Sequence, residues 1–192
     1  MKDELGHVDP ERGSIGGRDL VAQLPGARGF DVSSRLYGAT RAVGFPQSGF
    51  ADIDAVRALA EKLDDALAKA KTKVTGPLMR VLVDNPFEVM APDRNYFVAR
   101  TITGPSPTVE GLQKVRLDGG STLVLPRKGR IEDLENEYGF IFGKWMPAKN
   151  YELARPHIRE VYLEGLEVDD ADRVPMEILV PIALRLSKDE PA

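Results

Sequence analysis

The sequence predicts an α+β fold made by pseudo-twofold duplication of a strand-helix-strand-strand unit, with antiparallel sheets, one main helix per half and a ligand groove between the halves. Two observations predict it. Apolar spacing runs mostly at a period near two, interrupted by one helical stretch in each half. Short motifs also recur: Pro46-Gln47-Ser48-Gly49 matches Pro126-Arg127-Lys128-Gly129 at an offset of 80, and Met79-Arg80-Val81-Leu82-Val83 lies 79 positions before Ile158-Arg159-Glu160-Val161-Tyr162.

Residues 1–29 are rich in Gly, Asp, Arg and Glu, with a single apolar patch at Leu20–Leu24, and read as an N-terminal extension. The domain itself spans 30–184, in halves of about 30–103 and 112–184, and residues 185–192 form a polar tail. Phe30–Phe45 alternates and reads as one or two strands. From about Asp52 to Lys73, Ile53, Val56, Leu59, Ala60, Leu63, Leu67 and Ala70 fall on one face of a helix. Strands follow at Leu78–Val83 and Tyr96–Thr103, separated by the turn formers Asp84-Asn85-Pro86. Gly104, Pro105 and Pro107 mark the midpoint. Leu112–Leu125 reads as a strand pair and Arg130–Met146 as a helix that Pro147 ends. Strands at His157–Leu163 and Val174–Leu184 complete the second copy. Asp52 and Glu132 occupy the same offset at the two helix starts, where negative charge complements the helix dipole.

Composition narrows the function. At 192 residues the chain can bury a core without staples, and it holds no cysteine and only two histidines, His7 and His157. Thiol nucleophiles, zinc ribbons and disulfides are excluded, a metal site and a nucleophilic triad lack material, and no cofactor is expected. The net charge of −4 is unfavourable for a partner recognised through phosphate neutralisation, so direct nucleic-acid binding is not expected. No apolar run approaches the ~18 residues of a membrane span. The first residues carry no signal-peptide pattern, which makes the cytoplasm the expected compartment.

The two copies differ in one strand. Period two places Ile158, Glu160 and Tyr162 on one face, and the offset of 79 sets Met79, Val81 and Val83 against them. On that reading Glu160 is a lone carboxylate in a groove walled by Met79, Val81, Phe97 and Met176, with Tyr162, Trp145 and Tyr138 as aromatic walls. Three roles stay open: recognition of a cationic or hydrogen-bond-donating ligand, proton exchange with a substrate or water, or structural pairing with Arg159, Arg80 or a lysine.

The run from Leu123 to Gly165 followed by Val174–Ile182 resembles the GyrI-like, or AraC-type effector-binding, small-molecule-binding domain. The residues that carry the resemblance are Tyr138, Trp145-Met146-Pro147, Tyr151-Glu152-Leu153, Glu160-Val161-Tyr162 and Glu177-Ile178-Leu179-Val180-Pro181. The resemblance implies a duplicated SHS2-like fold. It also implies multidrug-type binding of a bulky, apolar and often cationic small molecule over Glu160, by a stand-alone domain with no reader for DNA. Enzymatic activity is left uncertain. The resemblance allows a hydrolase of cyclopropanoid-type electrophiles, in which Glu160 is the base toward water and Tyr162 a donor, and it allows a protein-interaction module.

Overall fold

The structure, a computed structural model, describes residues 31–169 and 172–186. Nine strands and one long helix dominate it. In chain order they are β1 (Ser33–Tyr37), β2 (Thr40–Ser48), α1 (Ile53–Lys69), β3 (Lys73–Leu82), β4 (Asn95–Thr103), β5 (Gln113–Leu117) and β6 (Gly120–Gly129). A broken helical segment follows: a 3-10 turn at Ile131–Asp133, α2 (Glu135–Phe140), a π turn at Ile141–Trp145 and α3 (Met146–Ala148). β7 (Tyr151–Leu153), β8 (Ile158–Leu166) and β9 (Val174–Leu184) close the chain. The N-terminal extension and residues 187–192 of the expected tail lie outside the described residues.

The strands form one continuous antiparallel sheet in the order β1-β6-β9-β8-β3-β4-β2-β5, and β7 pairs with the end of β9. The expectation of two sheets facing each other across a groove is therefore corrected. The halves meet edge to edge, through hydrogen bonds between β3 and β8. Each half also lends its first strand to the other: β1 pairs with β6, and β5 with β2.

One sheet face is covered by the helices. Val56, Leu63 and Leu67 of α1 pack there with Leu78, Leu82, Tyr96, Ile158, Tyr162 and Ile178 of the strands, and Tyr138, Ile141 and Trp145 come from the broken segment. The opposite face holds a smaller apolar cluster around Met79, Val81, Ala99, Val124, Val161 and Leu179. Among the described residues no helix is long and apolar enough to cross a membrane.

α1 is shorter than the expected 52–73. Asp52 stands outside it as N-cap and accepts from the Ala55 N–H at 2.7 Å, which satisfies one orphan donor of the first turn. The Ile53 N–H donates to Glu132 Oε1 at 3.3 Å, so the acid at the matching offset of the second half caps the helix of the first. The second helix, expected to be continuous over 130–146, is short and interrupted by a π turn, and Pro147 lies inside its last turn, where the missing N–H is tolerated at a helix start. Substituting Asp52→Ala should lower stability by about 1 kcal/mol in urea denaturation, with an unchanged m-value.

Candidate functional site

Strand register decides which side chains meet. β3 and β8 place Arg80 opposite Glu160 and Leu82 opposite Ile158, and directly opposed residues of an antiparallel pair share a face. Met79 and Val81 instead oppose Val161 and Arg159, and Phe97 opposes Val81. Met79, Val81 and Phe97 thus lie on the far side of the sheet from Glu160, in or against the smaller cluster. Their expected role as the wall across from Glu160 is corrected: a shift of one residue in a strand turns every side chain to the other face. Arg80 and Leu82 take that place.

Glu160 is fully buried. Its Oε2 accepts from Arg80 Nε and its Oε1 from Arg80 Nη2, both at 2.7 Å. Tyr138 donates its hydroxyl to Oε1, and Tyr162 donates to Oε2 at 3.4 Å. An ionised carboxylate offers about four lone-pair positions, and these donors fill them. The bidentate guanidinium contact is the strong form of this pairing. Burial opposes the charge of Arg80, yet Glu160 and the neighbouring tyrosines together outweigh that effect and hold its pKa above the ordinary arginine value. Burial, reinforced by the Glu160 charge, pushes the Tyr138 and Tyr162 hydroxyls well above the ordinary tyrosine value. Both are therefore neutral donors at pH 7.

From the ion pair a cleft opens toward the start of α1 and the 3-10 turn at Ile131–Asp133. The cleft is narrow, with an internal volume of about 20 Å³, room for roughly one water, and Arg80, Leu82, Tyr96, Arg94, Phe50 and Leu134 are among its lining residues. Glu160, Tyr138 and Tyr162 do not line it; Arg80 stands between them and the cleft. The Arg80 guanidinium lies 5.3 Å from the centre of the Tyr96 ring, within cation–π range. The Tyr96 hydroxyl is buried and has no hydrogen-bond partner among the described residues, and burial raises its pKa, keeping its proton in place. Arg94, at the cleft's other side, is engaged: it donates to Glu135 at 2.5 and 2.9 Å and to the carbonyls of Pro86 and Val89.

The sequence-predicted residues Glu160, Tyr162 and Tyr138 are thus in mutual contact. Trp145 is not among them. It is buried, its ring stacks on Tyr151 at 5.6 Å with planes 5° apart, and its indole N–H has no partner among the described residues. Sequence reasoning missed Tyr96 and Arg94, and gave Arg80 only as one possible partner. Taking the turn offset of 80 through the middle strand would have placed Arg80, not Val81, at the position matching Glu160.

A profile of the GyrI-like small molecule binding domain matches residues 35–183. No curated protein matches the chain in sequence. Among solved structures, the chain is similar to the EcmrR C-terminal domain, with a TM-score of 0.69 at 14% identity, covering 81% of this chain and 98% of that one. The same fold spans 58% of the EcmrR chain in a cryo-EM structure of an EcmrR–DNA complex. It is also similar to a hydrolase encoded by lin2189 from Listeria innocua, with a TM-score of 0.53 at 12% identity, covering 80% of this chain and 92% of that one. At these identities the likenesses concern the fold.

Removing Arg80 alone strands a buried charge. Arg80→Met should cost about 3–5 kcal/mol in denaturation at pH 7, and the double substitution Arg80→Met with Glu160→Gln should recover most of that loss. The tyrosines give a second expectation. Their folded pKa values lie above the unfolded value of about 10, so their contribution to stability is complete below that pH and is lost as pH rises past it, because the unfolded chain releases the protons first. Stability should therefore fall above about pH 10, with part of the tyrosinate absorbance appearing only on unfolding.

Proposed function

The chain belongs to the GyrI-like small-molecule-binding family, and on that premise we propose that the hydrogen-bond acceptor of an apolar small molecule enters the narrow cleft beside Arg80 and Tyr96, which widens to admit the rest of the molecule. One observation carries this reading: a buried, unpartnered Tyr96 hydroxyl stands beside a guanidinium in the lining of the same cleft. Two of the five N–H donors of Arg80 go to Glu160. Its remaining donors and the Tyr96 hydroxyl ask for an acceptor such as a carbonyl or a carboxylate, and Leu82, Phe50 and Leu134 supply the apolar lining. Leaving a buried donor unmatched costs about 1–3 kcal/mol, which a bound acceptor would return.

In this reading Glu160 acts through Arg80. It fixes the guanidinium in one orientation at the cleft floor, and Tyr138 and Tyr162 fix Glu160 in turn. A lipophilic cation seated directly on Glu160 would first have to displace a bidentate arginine. The same saturation counts against Glu160 as a base toward water, since no lone pair is left to take the proton, and the Tyr162 hydroxyl is already spent on the carboxylate.

We infer further that the domain arose by duplication. Adding 80 to both residues of the β2–β4 pair Ala42–Thr101 gives the β6–β9 pair Thr122–Pro181, and the same shift takes the β3–β4 pair Leu82–Tyr96 to the β8–β9 pair Tyr162–Met176. The strand order reads alike from both edges once each strand is exchanged for its counterpart. The pseudo-axis then passes through the Arg80–Glu160 pair, where two copies of one position carry opposite charges.

Binding should be tested by thermal shift and calorimetry with three probes: biphenyl-4-carboxylate, the neutral 4-acetylbiphenyl, and tetraphenylphosphonium. The two acceptor-bearing probes should stabilise the protein, and Tyr96→Phe should weaken them about tenfold, the equivalent of one hydrogen bond. Stabilisation by the cation alone, or affinity indifferent to Tyr96→Phe, would sink the proposal.

A further inference from the structure

The sheet face away from the helices carries a second concentration of charge. Arg159 is 7% exposed, yet among the described residues it makes no ion pair. Its guanidinium carbon lies 5.2 Å from the centre of the Tyr37 ring. Buried charges are normally paired, because desolvation disfavours the charged form strongly. Arg155 approaches the same place. Its guanidinium lies so close to Gly120 that a Cβ added there would fall 2.3 Å from Nη2, and its Nε is buried with no hydrogen-bond partner among the described residues. Tyr37 and Gly120 are directly opposed on β1 and β6, so the two guanidinia converge over one cross-strand pair.

No described carboxylate answers them. Glu177, on the same face, is bonded to Arg35 at 3.2 Å. Asp84, near Arg155, accepts from the Asn95 backbone and side-chain amides at 2.6 and 2.9 Å. Burial lowers the pKa of Arg159, and the neighbouring Arg155 lowers it further against the opposing influence of Tyr37. That is the behaviour of a cation kept beside a like charge without a counterion. Arg155 also borders an open depression of about 330 Å³ with Val83, Asp84, Leu153 and His157 among its lining residues, which leaves room for more than a lone ion.

The geometry points to an anion site in which Arg155 and Arg159, set over the Tyr37–Gly120 pair, bind a phosphate group, with the adjoining depression receiving whatever that phosphate is attached to. Two guanidinia approaching from different directions match a dianion better than a single carboxylate, and planar guanidinium donors suit phosphate oxygens. Gly120, at φ +132°, is required both by its backbone conformation and by the arginine resting on it. This site lies on the opposite side of the sheet from the Arg80 cleft and does not depend on it.

The test is thermal stability of the full chain in sodium phosphate against sodium chloride at matched ionic strength, with phenyl phosphate as a further arm. Phosphate should raise Tm saturably above the chloride value, and Arg155→Ala should abolish that increment. A larger increment with phenyl phosphate assigns the site to phosphate monoesters, an equal one to free phosphate. Arg159→Met should also lose the increment while raising the phosphate-free Tm by about 2–4 °C, because it removes an uncompensated charge without removing packing. Equal shifts in phosphate and chloride, a phosphate increment that survives Arg155→Ala, or a lowered Tm in Arg159→Met would each overturn the assignment.

Discussion

The arrangement depends on one hydrogen-bonded ion pair at the seam between two halves of the chain. Arg80 on β3 and Glu160 on β8 are opposed by register and joined by two charge-assisted hydrogen bonds in a region closed to water. A buried carboxylate demands donors, and the sheet supplies them from three elements: β3 gives the guanidinium, β8 gives Tyr162, and α2 gives Tyr138. Satisfying that demand locks the two halves edge to edge and sets α2 against the sheet. It also turns an acid into a cation as far as the cleft is concerned. Such a pair contributes more to fixing geometry than to net stability, since its Coulombic gain is largely offset by lost hydration.

Much of this was legible in the residues. Alternation located β4 and β9 within a residue, and the apolar stripe located α1, although it set Asp52 inside the first turn and not at the cap. Glu160 and Tyr162 stood out because period two sets them on one strand face, and Tyr138 joined them only as an aromatic wall. The failures have physical causes. Matching Met79 to Ile158 put the middle strand one residue out of step with the turns, and period two converts that small error into a complete exchange of faces, bringing in Met79, Val81 and Phe97 where Arg80 and Leu82 belong. β7 was missed because three residues carry too little periodicity to register. Whether two half-sheets stack or join at their edges is decided by hydrogen bonds between β3 and β8, which leave no compositional trace.

The EcmrR domain and the Listeria innocua hydrolase share this fold at 14% and 12% identity. A sheet whose strands are held by alternation tolerates exchange of a single inward residue, provided each buried polar atom finds a partner. In this chain the inward polar group that reaches the cleft is Arg80, which donates hydrogen bonds where a bare carboxylate would accept them.

The crossing of first strands between halves bears on how the molecule comes to be made. Ser33 pairs with Val124, so the edge strand nearest the amino end waits for some ninety further residues before it can dock. β2 likewise waits for β5 along its outer edge. A ribosome that has released only the first unit therefore exposes two unsatisfied strand margins at once, the condition under which nascent chains pair with the wrong neighbour. Long-range closure of this kind implies slow maturation and a high contact order. It also implies that neither unit, cut free, retains the sheet it helps to build.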